Sequence, residues 1–394
     1  MTASTTRLLA GLALAVLACA AAAEPPIVVG AVVSRTGAHA EMAAPYARGL
    51  QLWGEQVNAA GGLLGRPVEL RLLDDGSEAV QNSTLYLKLI REEKADLLIG
   101  PYGTAATLMG AAEAESARRV MVTGAAPSRA VHKRSPRFVF QAGIPYANYG
   151  EGPLALARDH GYRNLFIVAR DDPVAREMAE AAKEKALKLG LVVSDVELYQ
   201  AGADDFGPQA LKARAQQADA WVAFGEVRDA AEMLKSLKKL GYAPRLFFCR
   251  DASDPALLRR VGQDAEFALG ALAYDARLGT PGNARFVRDY EKKFSVAPDL
   301  AAAEGYAAGT VLAEGVKRAG SLDQARLRAA LAALTTDTVL GPYKVDPATG
   351  EQLATNPALT QVRLGRERLV WPASLAAEQP ALPYPQWGGR KILK

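Results

Sequence analysis

The sequence has little of what redox and metal chemistry needs. Three histidines and two cysteines in 394 residues, with no paired Cys at zinc spacing, leave too few soft ligands for a metal cage, so no metal or cofactor is expected. Equally missing are a Gly-x-Ser-x-Gly elbow, a phosphate-cradling Walker loop, a His-Glu-x-x-His helix and a Gly-x-Gly-x-x-Gly turn after a strand. Together these gaps argue against an enzyme. His39, His132 and His160 are scattered and read as solvated or locally bonded side chains. Neither sign of charge dominates: 47 Lys and Arg face 43 Asp and Glu, mixed along the chain, which gives a nucleic acid nothing to hold. After the N-terminus no apolar run is long enough to span a bilayer.

What is present begins with an address. Residues 1–23 place Arg7 before an apolar run from Leu8 to Leu17 and end in Ala21-Ala22-Ala23, the pattern of an export signal cleaved before Glu24. Val16-Leu17-Ala18-Cys19 offers the alternative of a loose lipobox, with Cys19 lipidated. On either reading the mature protein is expected outside the cytoplasm, in the periplasm of a two-membrane cell. Cys249 then has no intramolecular partner. At the end of the strand-like run Leu246-Phe247-Phe248 it reads as a buried thiol rather than a nucleophile.

An apolar fraction of 49% over this length supports two or three compact domains. Ile27 to Val33 is a β-branched run, and Tyr46, Leu50, Trp53 and Val57 form a helical stripe that Gly61-Gly62 can cap. The unit repeats through a strand ending at Asp74-Asp75, a helix over residues 79–93, the strand Leu97-Leu98-Ile99, a helix from Thr104 to Arg118 and the strand Val120 to Thr123. It restarts after residue 148, with strands at 165–168, 220–224 and 246–248 between helices. Strands alternating with helices of this length predict α/β lobes whose mainly parallel sheets are covered on both faces. Adjacent acids such as Asp74-Asp75 and Asp171-Asp172 read as loop and N-cap residues. The tail from Trp371 is expected to lie over the surface.

Two strands run into small-residue loops: Ile99-Gly100-Pro101-Tyr102-Gly103-Thr104 and Val122-Thr123-Gly124-Ala125-Ala126-Pro127-Ser128. Each on its own is explained by N-capping. Together, at carboxyl ends of strands in one lobe, they suit a shared anion site built from free helix amides and hydroxyls.

With these loops in view, the order of motifs resembles the leucine/isoleucine/valine-binding protein family, the type I periplasmic solute-binding proteins of ABC importers. The motifs are Val29-Gly30-Ala31 with its Ser-x-Thr-Gly loop; Val57-Asn58-Ala59-Ala60-Gly61-Gly62-Leu63-Leu64-Gly65-Arg66-Pro67-Val68; Asp74-Asp75; Ile99-Gly100-Pro101; and Asp337-Thr338-Val339-Leu340-Gly341-Pro342-Tyr343. The resemblance covers nearly the whole mature chain. It implies two Rossmann-like α/β lobes joined by three hinge segments, near Ala142 to Tyr146, Leu272 to Ala276 and Thr338 to Gly341. On that pattern residues 27–143 with 275–338 form the first lobe, 144–274 with 339–370 the second, and 371–394 a surface tail.

The resemblance also implies a ligand between the lobes. An amino-acid carboxylate would be held at positions matching Thr104 with Ala105, and Ala125 with Ser128, Ala126 lying in the same loop. Its ammonium would be met by Asp251. The family's two second-lobe tyrosines fall at Val174 and Val227, which widens the pocket, and Arg250 could neutralise Asp251 or bind a second anionic group. Tyr102 and Tyr146 are positioned to stack on an aromatic acid or to pack between lobes, and His39 borders the entrance with Glu41. The expected partners are a small amino acid or related carboxylate and a membrane permease, with the protein a monomer. A sensor of the same fold, reporting to a regulatory partner, is the alternative.

Overall fold

The computed structural model describes residues 24–389, so the expected export signal and Cys19 lie outside the described residues. The first sheet collects β1 (Ile27–Val32), β2 (Val68–Leu73), β3 (Leu97–Ile99), β4 (Met121–Thr123) and β5 (Val139–Gln141) in the order β2-β1-β3-β4-β5, with every pairing parallel. Between them run α1 (Ala40–Ala59), α2 (Gln81–Arg91) and α3 (Thr104–Ser116). β1, β3, β4 and β5 are buried nearly throughout because helices cover both faces, whereas the edge strand β2 carries Glu69 and the exposed Arg71. Tyr46, Leu50 and Trp53, the predicted stripe of α1, are buried in the core. Gly61 and Gly62 follow the helix with φ of 97° and 80°, the left-handed turn the sequence pattern requires.

The second half repeats the plan. After α4 (Glu151–Asp159) come β6 (Asn164–Arg170), α5 (Pro173–Lys188), β7 (Val192–Tyr199), α6 (Gly207–Ala215), β8 (Ala220–Phe224), α7 (Val227–Lys239), β9 (Leu246–Cys249), α8 (Ala256–Val261) and β10 (Leu269–Leu272). Their order, β7-β6-β8-β9-β10, repeats that of the first sheet. Both sheets therefore have a topological switch point beside their first strand, where a crevice opens at the carboxyl ends.

The chain then returns to the first lobe as α9 (Asn283–Phe294), α10 (Leu300–Ala319) and α11 (Gln324–Ala332), followed by an antiparallel ribbon of β11 (Thr335–Thr338) and β12 (Gly341–Lys344). It ends with β13 (Ala358–Arg363) and β14 (Arg366–Trp371), antiparallel on the far side of β10. Thr338 to Gly341 is thus the tight turn of the ribbon and not a crossing. Tyr343 and Val345 are buried in the first lobe's core, so on packing the third passage between lobes falls after Val345 and before β13. The tail is not a surface cover alone: Tyr384, 2% exposed, sits in the second lobe's core beside Phe247, and its amide donates to the Arg245 carbonyl at 2.7 Å. A planar ring with a short apolar reach past a proline-rich run gave no periodicity from which to see this.

The joint between α1 and α10 fixes where the start of α10 lies in the first lobe. A Cβ on Gly49 would lie 2.1 Å from the Ala302 carbonyl oxygen, and one on Gly305 would lie 2.3 Å from that of Tyr46. Glycine at both places lets the two helices cross backbone to backbone. That crossing drives the first turns of α10 against the ends of β4 and β5. No helix among the described residues is long and apolar enough to cross a membrane.

Candidate functional site

A cavity of about 440 Å³ opens between the lobes. Its first-lobe wall starts with the loop after β3, at the switch point. Gly103 takes φ of 94° and, lacking a side chain, leaves α3 uncapped. The first amide to find its acceptor inside the helix is Thr107, on the Gly103 carbonyl at 3.1 Å. The amides of Thr104, Ala105 and Ala106 precede it, and they carry the positive end of a 13-residue helix. Tyr102, Gly103 and Thr104 line the cavity, joined by Ala125 and Pro127 from the loop after β4. Tyr102 is fixed edge-on to Tyr46, with ring centroids 6.2 Å apart.

The passage between the lobes contributes Ile144, Tyr146 and Tyr149, the two tyrosine rings 6.3 Å apart. From the second lobe come Val174 and Met178, one turn apart on α5, and Arg250 with Asp251 after β9. The start of α5 is set by Asp172, whose carboxylate accepts from the amides of Val174 and Ala175, both at 2.9 Å. Asp171-Asp172 is indeed loop and cap. Arg250 and Asp251 form a two-pronged pair: Nε and Nη2 of Arg250 donate to the two carboxylate oxygens at 2.7 and 2.9 Å. Burial works against the Arg250 charge, but those bonds overcome it and hold the guanidinium protonated.

One wall residue was not anticipated. Glu304, on the second turn of α10, is 7% exposed and faces the cavity. No hydrogen bond to its carboxyl is found among the described residues. Burial, with a smaller contribution from Asp299, pushes its carboxyl up to about 8, so at neutral pH the empty site holds it mostly protonated. Burial likewise lifts Tyr102, Tyr146 and Tyr149 above the usual phenol range and keeps them neutral.

Six of the expected site residues, Tyr102, Thr104, Ala125, Tyr146, Val174 and Asp251, are brought together on this cavity. The others are placed elsewhere. Ala126 is fully buried in the first lobe and its carbonyl accepts from Gln141 at 2.9 Å. Ser128 faces α5, donating to Glu177 at 2.6 Å. Val227, the first residue of α7, packs on the second lobe's core and does not line the cavity. His39 and Ala105 line a neighbouring recess of about 260 Å³ that shares Tyr102, Gly103 and Thr104 with the main cavity. Besides Glu304, the residues not anticipated as wall are Gly103, Pro127, Ile144, Tyr149, Met178 and Leu300. Glu304 did carry a signal: it is the one charged residue between Leu300 and Ala313, in a stretch of alanine and glycine that reads as buried helix. Cys249 is fully buried at the end of β9, where burial raises its thiol to about 12.

Two doubly wound lobes of like topology, with a cavity between them that offers free helix amides, define a solute clamp. The chain belongs to the periplasmic binding protein family, whose profile matches residues 26–367. An amino acid binding protein of Pseudomonas aeruginosa is 24% identical over 331 residues, covering 81% of this chain and 86% of the relative. A protein of Rhodospirillum rubrum described as a branched-chain amino acid ABC transporter superposes with a TM-score of 0.80 at 23% identity, covering 88% of this chain and all of that one. A solute binding protein of Rhodopseudomonas palustris, in complex with benzoate, gives 0.60 at 22% identity, covering 92% of this chain and 97% of that one. These likenesses establish the two-lobed fold, and family membership implies an extracytoplasmic solute-binding protein.

Proposed function

We propose that the protein is the periplasmic receptor of an ABC importer, taking a small carboxylate-bearing solute into the interlobe cavity and presenting the loaded, closed form to a membrane permease. The observation that carries this reading is the uncapped start of α3 on the cavity wall. Thr104, on the cavity wall, can offer its amide and hydroxyl to a carboxylate, and the amides of Ala105 and Ala106, which line the adjoining recess, add the positive end of the helix. Ala125 and Pro127 present no bulk against it, and Tyr102 and Tyr146 offer ring surface to the solute's apolar part.

A solute touching both lobes makes its full set of contacts only when they are closed, so it stabilises the closed form, which a permease can distinguish from the empty one. At about 1.5 to 3 kcal/mol per charge-assisted bond, three or four bonds are enough for micromolar affinity, near 8 kcal/mol, after ordering costs. The test is a thermal-shift and calorimetric screen of amino acids, aromatic acids and aliphatic carboxylates on the mature protein. The expected result is a hit whose affinity falls tenfold or more in Thr104→Pro, which removes an amide, and survives in Ser128→Ala. A carboxylate ligand indifferent to Thr104→Pro would refute the assignment of α3.

A further inference from the structure

We propose that the solute carries an amine, and that Glu304 on the first lobe receives it, not Asp251 across the cleft. This rests on the solute-receptor reading and specifies the cationic half of that site. Three observations converge. Glu304 is more than nine-tenths buried, faces the cavity and has no hydrogen-bond partner among the described residues. Asp251 is engaged through both oxygens by Arg250, so an ammonium would have to displace a two-pronged guanidinium to reach it. The wall between is aromatic: Tyr102, Tyr146 and Tyr149 share the cavity with Glu304, and the negative faces of such rings favour a cation.

The groups around Glu304 add no competing cation. On its own helix the titratable neighbour is Asp299, and α1 brings the Tyr46 ring against the loop that Glu304 also touches. The β3 loop contributes Tyr102 and the interlobe passage Tyr146 and Tyr149, all neutral. Arg250, on the second-lobe wall, is already held by Asp251. A buried carboxyl in such a place stays protonated while the site is empty and ionises once a cation compensates it. Binding then follows a balanced exchange: the Glu304 carboxylic acid and the solute's ammonium form a carboxylate–ammonium pair, and one proton leaves to the buffer. With the carboxylate on α3, the ligand class is a zwitterion, an amino acid rather than a simple organic acid.

Matched ligands test this: leucine and phenylalanine against 4-methylpentanoate and 3-phenylpropanoate, which lack only the amine. Calorimetry on the mature protein at pH 7, in buffers of different ionisation enthalpy, is expected to show release approaching one proton per amino acid, and affinity rising about tenfold per pH unit between pH 5.5 and 7.5. Glu304→Gln should weaken the amino acids at least tenfold, abolish proton release and leave the amine-free acids unchanged, which also certifies the variant's fold. Asp251→Asn should keep the proton release. Amino-acid binding that is unaltered in Glu304→Gln, or proton release lost in Asp251→Asn, overturns the proposal. Binding of the amine-free acids alone sinks the Glu304 role and leaves the receptor reading standing, whereas no binding by either set defeats both.

Discussion

Replacing Glu304 by Gln in the ligand-free protein isolates what one buried carboxyl does to stability. Its folded-state pKa, raised from 4.5 to about 8 mainly by burial, means that between those values the native state holds a proton the unfolded chain has released. Stability contributed by this group is therefore complete below about pH 4.5, is lost as pH rises, and levels off above about pH 8. Each pH unit crossed in that window costs about 1.4 kcal/mol, and because the slope is shallower near both ends, the loss between pH 5 and pH 8 is about 3 kcal/mol. Glutamine keeps the shape and has no proton to lose, so the comparison of slopes cancels every other titrating group. Urea midpoints at half-unit pH intervals should show the variant gaining on the wild type steadily from pH 5 to pH 8. In a thermal scan of a unit of 150–250 residues the same gain is roughly 6 °C or more. Parallel curves for the two proteins would show that Glu304 is solvated or paired in solution and would remove the premise of a buried acid awaiting a cation.

Other consequences are local. Gly49→Ala places a methyl 2.1 Å from the Ala302 carbonyl oxygen and should destabilise the first lobe by about 2 to 3 kcal/mol, read as a urea midpoint shift; no shift would mean that α1 and α10 separate freely. Arg250→Met removes both hydrogen bonds of a partly exposed Asp251 and should lower stability by about 1 kcal/mol, read as a urea midpoint shift; an unchanged midpoint would mean that the pair contributes nothing in solution. Cys249, with its thiol pushed up to about 12 by burial, should resist a thiol reagent at pH 8 until denaturant unfolds the second lobe; reaction in the native protein would contradict its burial.

The lobes were legible because period and length carry the information for doubly wound sheets: fully apolar strands such as Leu97–Ile99 and Ala220–Phe224 cannot be surface strands. The short strands β5 and β10, and β7 with its mixed burial, left no such trace and were not foreseen. The β3 loop was readable because a run of small residues between a strand and a helix is a local signal, while the positive φ of Gly103 and the missing cap emerge only in the structure. What the sequence could not convey was which side of a loop faces the cleft. Ser128 and Thr104 look alike as hydroxyls after a strand, yet one turns to Glu177 on α5 and the other to the cavity. Likewise the sequence left open whether Arg250 neutralises Asp251 or leaves it for a ligand, and only the folded-back guanidinium, bonded to both carboxylate oxygens, decides between them. Glu304 lies far along the chain from both anion loops, on a helix whose approach depends on Gly49 and Gly305, so its placement is a tertiary fact.

The misplaced Ser128 points to a tie between the lobes. Its hydroxyl and the Arg129 amide donate to the two oxygens of Glu177 at 2.6 and 2.8 Å, and the Arg129 side chain reaches Glu184 and Glu351, each at 3.2 Å. The loop making these bonds carries Ala125 and Pro127 of the cavity wall, while Glu177 adjoins Met178 of the opposite wall. Glu177→Ala therefore cuts the polar link between two walls the solute must bridge and touches no cavity-lining side chain itself. Two hydrogen bonds to a half-buried carboxylate are together worth about 1 to 2 kcal/mol, so a corresponding fall in the binding-competent population should weaken the solute about tenfold. Scattering should report a larger radius of gyration for the ligand-free variant, and calorimetry the weaker binding with its proton release unchanged. Affinity within twofold of wild type and an identical scattering curve would mean that the tie holds the loop alone, and that the balance between lobes is set at the three passages instead.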